Sequence, residues 1–358
     1  MKLYVDKKYR FYELFNPQTG FYYRSGVIEP NSRKDTGVDS FMRSMPSLID
    51  IGIMGHCKHG SSGLCIKAGV ECYQNGLGVK KENMNLENYK SIISQVIGKV
   101  QQVALGGRGD VNKHEEFGGI LKHTLDNRIV PNYTTSGLEL TQEEVDITKK
   151  YCGAVAVSWY RQEHTLRALD MFIKSGIRTN IHYVLGNNSI DEAISRVKEK
   201  NFPEGINAII FLLHKPVGLG SNKNMLNVNN PKVKEFFEIV EKGDYPFKVG
   251  FDSCSIPGLL NFTSNIESKY MDTCEGARFS CYISADMQMV PCSFDQSLKW
   301  AVDLKKHTVE EAWNSAQFED FRSSLKNSCP NCPQRNDCMG GCPIVSEIVL
   351  CNKIEKAR

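Results

Sequence analysis

The stretch Leu48-Ile-Asp-Ile-Gly-Ile-Met54 decides how the rest of the sequence is interpreted. It is apolar, rich in β-branched residues and followed by glycine, a combination typical of a buried strand. The loop that comes next carries Cys57, Cys65 and Cys72 among several glycines. Since ligands bind at the carboxyl ends of parallel strands, this order predicts a binding site directly after the strand.

Short apolar runs alternate with amphipathic segments from residue 47 to about residue 254. The predicted strands are Leu48–Met54, Gln102–Leu105, Ile129–Tyr133, Ala154–Trp159, Thr179–Leu185, Ala208–Leu213 and Phe247–Phe251. The predicted helices cover roughly 86–99, 114–126, 141–150, 163–175, 189–199 and 231–241, and Thr141-Gln-Glu-Glu144 resembles a capping box. About six strand–helix units predict an α/β fold, a partial (β/α)6 TIM-like barrel that stays open because closure takes eight units.

The two ends of the chain differ from this pattern. Phe11–Phe15 and the segment from Phe21 flank a turn with proline and glycine, which predicts an N-terminal β-hairpin. After residue 270 the chain is rich in Cys, Pro and Gly and has few candidate core residues, so we expect metal to hold it together. The predicted domains are an N-terminal hairpin and connection (1–46), a partial barrel (47–256), and a linker helix with a small cysteine-rich domain (257–358).

Composition limits the class of protein. The chain has 358 residues and a net charge of +3, shared between 44 basic and 41 acidic side chains. This balance does not indicate nucleic-acid binding. The apolar runs are too short to cross a membrane, and the N-terminus lacks a secretory signal. We therefore expect a cytoplasmic protein, in which 13 cysteines indicate metal ligation or catalysis rather than disulfides.

The cysteines after the first strand form one candidate metal site. Three thiolates on a glycine-rich loop can bind three irons of a four-iron cluster and leave the fourth iron open to a substrate. The alternative is a zinc site in which His56 or His59 is the fourth ligand.

The tail has the densest cysteine pattern. Cys329, Cys332, Cys338 and Cys342 have the spacing Cys-x2-Cys-x5-Cys-x3-Cys, and Cys351 follows. Three further cysteines precede them, at Cys274, Cys281 and Cys292. Eight cysteines are enough for two fully ligated four-iron clusters. Two structural zinc sites with four cysteines each are the alternative.

These features together resemble the radical S-adenosylmethionine (SAM) superfamily. The cysteine loop after the first strand, the pair Gly106 and Gly107 after the second, and the cysteine-rich tail carry the resemblance, which extends over nearly the whole chain. Within the superfamily the chain looks like the branch with a SPASM extension, many of whose members modify peptides and proteins. The resemblance implies S-adenosylmethionine and three [4Fe–4S] clusters as cofactors.

The loop departs from the family spacing Cys-x3-Cys-x2-Cys. Here it is Cys-x7-Cys-x6-Cys, and Glu71 stands where the family has an aromatic residue before the last cysteine. The aromatic residue near the adenine is then either Tyr73 or absent. The resemblance implies further cofactor contacts at Gly106, Gly107, Asp110, Ser136, Ser158 and Arg161.

Polar side chains at the ends of the later strands are candidates for substrate contact: His182, Tyr183, His214, Lys215, Asp252 and Cys254. Only one residue of each adjacent pair can point into the barrel, and the sequence does not decide which. A buried, inert cysteine is the alternative for Cys254, as it is for Cys152.

The resemblance also implies how the tail cysteines divide between two auxiliary clusters. One set is Cys274, Cys281, Cys292 and Cys342, and the other is Cys329, Cys332, Cys338 and Cys351. Met287 occupies a position where the family often has glycine, so we expect a different hairpin turn before Cys292.

The function implied by the resemblance is radical chemistry. The loop cluster reduces S-adenosylmethionine to release a 5′-deoxyadenosyl radical, which abstracts hydrogen from a substrate, expected to be a ribosomal peptide. Auxiliary clusters handle electron transfer in an oxidation, cross-link or epimerisation, with flavodoxin or ferredoxin as electron donor. The alternatives are a radical SAM oxidase of a small molecule, and a non-catalytic zinc or iron–sulfur protein for binding or electron transfer.

Overall fold

The computed structural model describes residues 1–60, 63–267, 271–327, 329, 331–332, 334–335 and 337–352. The strands are β1 (Lys2–Asp6), β2 (Phe11–Phe15), β3 (Tyr22–Arg24), β4 (Leu48–Met54), β5 (Gln102–Gly107), β6 (Val130–Thr135), β7 (Ala154–Ser158), β8 (Thr179–Leu185), β9 (Ala208–Leu213), β10 (Lys248–Phe251), β11 (Ser280–Ile283), β12 (Gln288–Val290) and β13 (Val302–Asp303). The α-helices are α1 (Leu64–Lys67), α2 (Leu86–Val96), α3 (Phe117–Asp126), α4 (Gln142–Tyr151), α5 (Glu163–Lys174), α6 (Ile190–Glu199), α7 (Pro231–Lys242), α8 (Ile256–Phe262), α9 (Val309–Trp313) and α10 (Ala316–Asn327).

Strands β4 to β10 form the barrel sheet. They lie side by side in chain order, and each pairs with the next in parallel. Helices cross over between most of them, as the alternation of apolar runs predicts. The sheet does not close, because β10 is an edge strand of the described sheet. The predicted partial (β/α)6 barrel is confirmed.

The helices cover the sheet with one apolar face each. In α5 the buried residues Thr165, Ala168, Leu169 and Phe172 recur at the spacing of one helix face. The predicted capping box at the start of α4 is also formed, with reciprocal hydrogen bonds between Thr141 and Glu144. Such a cap stabilises a helix by about 1 kcal/mol.

The N-terminal sheet has three strands, not the two of the predicted hairpin. The hairpin forms between β2 and β3, and β1 adds to the other edge of β2. β1 has no clear signal in the sequence, because its apolar residues Leu3 and Val5 point to solvent, at 64% and 53% exposure, and do not form the pattern of a buried face.

The tail continues the barrel sheet. β11 pairs in parallel with β4, and β12 and β13 follow antiparallel, so seven barrel strands and three tail strands share one sheet. Trp313, Phe318, Phe321 and Leu325 are buried beside them. The expectation of a tail with few core residues is therefore wrong for residues 277–327. The strands of this core are only two to four residues long, which is too short for a periodic pattern to indicate them in the sequence.

The topology gathers the carboxyl ends of β4 to β10 at one edge of the sheet. The long loop between β4 and α2, which carries Cys57 and Cys72, begins at that edge. None of the described helices is long and apolar enough to cross a membrane.

Candidate metal and cofactor site

The three loop cysteines line one cavity. Cys57, Cys65 and Cys72 border it together with Gly76, and the one-turn helix α1 carries Cys65. A Cβ atom placed on Gly76 would lie 3.6 Å from the Cys72 Sγ atom and 3.9 Å from the Cys57 Sγ atom. Glycine therefore keeps the space between these sulfurs open. The stretched spacing of the loop still brings the three predicted ligands together.

The pKa and surroundings of the Cys65 thiol bear on whether the cavity can bind iron. Burial raises the pKa of Cys65 to about 11, opposed in part by the hydrogen bond with Tyr160 and supported by the nearby charges of Cys72 and Cys57. Its Sγ atom lies 3.3 Å from the Tyr160 hydroxyl. Iron binds the thiolate form, so a bound cluster would replace the proton of the buried Cys65 thiol. The cavity and its three donors fit a cluster with one open iron.

A histidine borders the same cavity. His59 lines it, and its Nε2 atom lies 3.6 Å from the Asp110 carboxylate. His56 instead directs its Nδ1 atom to the Lys81 carbonyl at 3.2 Å. In the described part of the chain, no group of three or more His, Cys, Asp or Glu side chains is arranged to hold a single metal ion.

Glu71 anchors the loop to the far side of the barrel. Its carboxylate accepts hydrogen bonds from the Ser221 backbone N–H at 2.6 Å and the Ser221 hydroxyl at 2.9 Å. Partial burial raises the pKa of Glu71, but the two bonds from Ser221 lower it overall. The His214 ring joins the group, with Nε2 3.0 Å from the Ser221 carbonyl oxygen. The residue that replaces the family aromatic thus ties the loop to the segment after β9.

A second anchor comes from Arg161, directly after β7. Its guanidinium pairs with Glu192 and donates to the Ala68 carbonyl at 3.2 Å, inside the cysteine loop. Burial lowers the pKa of Arg161, but the bond to Glu192 raises it overall. Arg161 therefore positions the loop. The geometry gives this residue a partner other than the predicted cofactor carboxylate.

Asp110 and Ser136 are the predicted cofactor residues that the fold joins most closely. Asp110 accepts hydrogen bonds from the Ser136 backbone N–H at 2.6 Å and from its hydroxyl at 2.5 Å. Burial raises the pKa of Asp110, and the Ser136 bonds oppose this only in part. The Asp110 charge also acts on the thiols of Cys57 and Cys65. The pair therefore lies beside the cysteine cavity.

Gly106 and Gly107, at the end of β5, have different surroundings. Gly107 has φ +112°, and a Cβ atom there would lie 2.5 Å from the Met54 carbonyl oxygen, so the backbone itself requires glycine. A Cβ atom on Gly106 would meet nothing within 4 Å, which leaves open space at the end of β5. Ser158 ends β7 and is in register with His182 on β8.

Tyr73 contacts the tail. Its ring lies 4.6 Å from that of Phe294, centroid to centroid, two residues beyond Cys292. The pair joins the loop that carries Cys72 to the tail segment that carries Cys292. The sequence predicted an adenine contact for Tyr73, and the structure gives it this different neighbour.

The structure decides between His182 and Tyr183. Tyr183 is fully buried and donates to the Ser189 carbonyl at 2.8 Å, towards the helix layer. His182 therefore takes the opposite face, with its Nδ1 atom 3.4 Å from the Thr134 hydroxyl of β6. Burial lowers the pKa of His182 to about 4, so the ring is neutral at ordinary pH.

Lys215 is buried at the end of β9. Its Nζ atom lies 2.7 Å from the Asp252 carboxylate and 4.3 Å from the Phe294 ring centroid. Burial lowers the pKa of Lys215, but Asp252 raises it overall, so the ammonium stays charged. Two predicted substrate contacts thus form an ion pair against the tail.

Asp50 is a further polar residue of the site region that was not among the predicted site residues. It lies in the middle of β4, in register with Tyr282 of the tail strand β11. Burial, together with the nearby charge of Glu275, raises the pKa of Asp50 to about 7. In the sequence, Asp50 is the single carboxylate of an otherwise apolar strand. Burying a carboxylate costs free energy, so a residue of this kind is a candidate for a functional role.

The tail cysteines form two groups. In the first, burial raises the pKa of Cys292 to about 12, and the nearby charges of Cys274 and Cys342 add to the increase. Cys281, the fourth predicted member of this set, is 1% exposed in β11, and the charges that act on its thiol are those of Asp50 and Arg322.

The second group is the predicted set that contains Cys338. Burial raises the pKa of Cys338 to about 11, with further increases from the charges of Cys351, Cys329 and Cys332. The Cys332 backbone N–H also donates to the Cys329 carbonyl at 3.0 Å, so these two ligand candidates share one tight turn. These four cysteines remain the predicted ligands of one auxiliary cluster.

Comparisons with known proteins agree with this architecture. Residues 274–338 match the SPASM family, an iron–sulfur cluster-binding domain. No curated protein matches the chain in sequence.

Solved structures with this fold include two proteins with bound S-adenosylmethionine. SuiB from Streptococcus suis bound to S-adenosylmethionine is 14% identical, with a TM-score of 0.64 over 85% of this chain and 74% of that chain. Histidine-tagged anSMEcpe with bound AdoMet is 16% identical, with a TM-score of 0.59 over 87% of this chain and 91% of that chain. SuiB bound to the precursor peptide SuiA is 15% identical, with a TM-score of 0.61 over 85% and 73%. The predicted resemblance is confirmed: the chain has the fold of radical SAM enzymes with a SPASM-type extension, and it carries a SPASM iron–sulfur cluster-binding domain.

Proposed function

We propose that the chain is a radical SAM enzyme that binds a [4Fe–4S] cluster through Cys57, Cys65 and Cys72 and abstracts hydrogen from a peptide. The observation that carries the proposal is the gathering of these thiols around one cavity at the carboxyl end of β4, despite the stretched spacing. The buried Asp110 carboxyl beside them supports a polar cofactor next to the cluster.

The chain's own residues would bind and orient the cofactor. When bound, the cluster and S-adenosylmethionine supply an electron and a carbon-centred radical that removes hydrogen from an unactivated carbon. The open space at Gly106 lets a ligand approach the backbone of β5. Asp110 has carboxylate lone pairs beyond the two that Ser136 occupies, so it can also accept a hydrogen bond from an amino group.

Two side chains can handle protons. His182 is neutral because burial lowers its pKa to about 4, so it can accept a hydrogen bond without carrying charge. Asp50 has a pKa of about 7, raised by burial, which lets it take up a proton near neutral pH. Oxidation of a C–H bond releases a proton as well as electrons, so a base of this strength suits such a reaction.

The tail thiols would hold two auxiliary clusters. Full cysteine ligation leaves no iron open, which favours electron transfer over direct binding of substrate. The net reaction is then an oxidation, cross-link or epimerisation, with flavodoxin or ferredoxin as donor of electrons to the loop cluster. Tyr73 and Phe294 pack between the loop and the tail, so the two cluster-bearing segments are in direct contact.

A peptide is the proposed substrate. SuiB has been solved with the precursor peptide SuiA, and anSMEcpe with the Cp18Cys peptide. The second of these structures is 16% identical to the chain, with a TM-score of 0.57 over 83% of this chain and 89% of that chain. The fold that the chain shares with these two peptide complexes supports a peptide over a small molecule as the substrate.

A second candidate function is metal binding without catalysis. It rests on His59, which borders the same cavity as the three thiols and could complete a zinc site. With that function, the tail would hold zinc through its two groups of cysteines.

One experiment separates the two functions. The chain is purified and reconstituted without oxygen, then assayed for iron and sulfide, and incubated with S-adenosylmethionine and dithionite. The proposed function predicts about 12 irons per chain and formation of 5′-deoxyadenosine, lost when Cys57, Cys65 and Cys72 are replaced by alanine. Stoichiometric zinc with no 5′-deoxyadenosine would contradict it. Cys152→Ala is the matched control, because Cys152 is a barrel thiol with no neighbouring cysteine charge.

A further inference from the structure

Cys254 lies where the barrel ends and the tail begins. It sits in the short turn Ser253–Ser255 after β10, outside the matched SPASM segment. The charges that act on its thiol include those of Cys342 and Cys274. A cysteine of the barrel thus joins the first tail group.

Direct contacts hold the tail segments of this group together. The Met339 backbone N–H donates to the Thr273 hydroxyl at 3.1 Å, which fixes the turn before Cys342 against the residue next to Cys274. A Cβ atom on Gly276 would lie 3.1 Å from the Pro291 carbonyl oxygen, so the chain after Cys274 touches the chain before Cys292.

Lys215 links the barrel cysteine to the same place. Its ammonium pairs with Asp252, two residues before Cys254, and lies over the ring of Phe294, two residues after Cys292. The charges of Cys254 and Cys292 both act on this ammonium. One buried cation therefore lies beside thiols from both segments, where it would offset part of the negative charge of a thiolate-ligated cluster.

Cys281 is held elsewhere by its strand. It is in register with Ile49 of β4 and belongs to the apolar core. Its neighbour Tyr282 pairs with Asp50 on one side and with Val290 of β12 on the other, so β11 is hydrogen-bonded on both edges. To reach the first tail group, Cys281 would have to leave a strand that is paired on both sides, at the cost of several backbone hydrogen bonds.

We propose that Cys254, and not Cys281, is the fourth ligand of the first auxiliary cluster, together with Cys274, Cys292 and Cys342. The cluster then connects the last barrel strand to the tail, and Cys281 is a core residue. This inference rests on the proposed auxiliary clusters but not on catalysis.

The test counts irons in a chain that lacks the loop cluster. The background variant carries Cys57→Ala, Cys65→Ala and Cys72→Ala and is expected to bind about 8 irons. Adding Cys254→Ala is expected to remove up to about 4 irons, or to change the electron paramagnetic resonance spectrum of one reduced cluster. Adding Cys281→Ala, or the control Cys152→Ala, is expected to change neither the iron content nor the spectrum.

A second pair of variants keeps the test independent of folding. Cys254→Ser retains an oxygen ligand and is expected to keep the cluster with a shifted reduction potential. Cys281→Val fills the core and is expected to leave that potential unchanged. If Cys254→Ala and Cys254→Ser leave both iron content and spectrum unchanged, or if Cys281→Val shifts the potential, the proposal is overturned. Failure of the proposed function would instead leave these iron counts in place without 5′-deoxyadenosine from the unmodified chain.

Discussion

The cysteine loop at residues 55–76 and the cysteine tail at residues 329–351 are both proposed cluster sites, but the protein holds them differently. The loop is tied to the barrel by Glu71 on one side and Arg161 on the other. In residues 337–351 the structure contains no helix or strand among those it describes. The loop has a scaffold without metal, whereas the last tail segment depends far more on its ligands.

The largest contrast is expected from removing each set of thiols. Replacing Cys57, Cys65 and Cys72 by alanine should abolish 5′-deoxyadenosine formation while the thermal midpoint changes little, because the Glu71 and Arg161 anchors remain. Liquid chromatography and circular dichroism measure the two effects. If this variant does not fold, the proposed difference in stability between the cysteine loop and the tail is contradicted.

The complementary change is in the tail. Cys338→Ala with Cys351→Ala should lose about 4 irons and expose residues after 327 to protease, because residues 337–351 form no described helix or strand and are packed through Val345, Ile348 and Leu350. Limited proteolysis followed by mass spectrometry locates the cuts. Cys152→Ala serves as the control, and equal resistance of both variants would contradict the role given to the ligands.

Replacing Asp50 tests the contact between the barrel and the tail, because Asp50 lies in β4 opposite Tyr282 of β11. Burial raises its folded-state pKa from 3.8 to about 7, so its proton is bound more tightly in the folded chain. Stability should therefore fall as pH rises from about 4 to 7, by at most about 4 kcal/mol. Asp50→Asn should remove this fall.

The thermal midpoints of both proteins between pH 5 and 8 measure the difference. A fall of equal size in the variant would assign the pH dependence to other groups.

Glu71→Gln tests the loop anchor itself. Hydrogen bonds to a charged group contribute about 1.5–3 kcal/mol, so the variant should be destabilised by an amount of that order. Ser221→Ala is the matched control, because it removes the hydroxyl bond and keeps the backbone bond. Chemical denaturation should rank Glu71→Gln as the more damaging change, and the reverse order would contradict the anchor.

The smallest effect is expected where the loop meets the tail. Tyr73→Leu removes the ring contact with Phe294 and should cost about 0.5–1.5 kcal/mol. The same variant should slow electron exchange between the clusters only slightly, because the leucine keeps the two segments packed. Stopped-flow reduction by dithionite measures this, and a change in cofactor binding instead would support the predicted adenine contact of Tyr73.

Local sequence determined much of the architecture. Periodicity alone predicts the seven barrel strands, because each is a short apolar run between amphipathic segments of helical length. Cysteine spacing alone predicts a metal site in the tail, since ligands near in sequence are near in space, whereas the division of these cysteines into two sets is implied only by the family resemblance. Neither inference needs distant contacts.

Only the tertiary structure decided features that depend on residues far apart in the chain. The side on which Tyr183 lies follows from its contact with α6, and the anchor role of Glu71 follows from Ser221, 150 positions away. The resemblance implies that Cys281 is a ligand, but its pairing with β4 buries it in the core, and we propose that Cys254, after the end of β10, takes its place. Spacing cannot reveal such a partner, because the fold and not the local chain closes the distance.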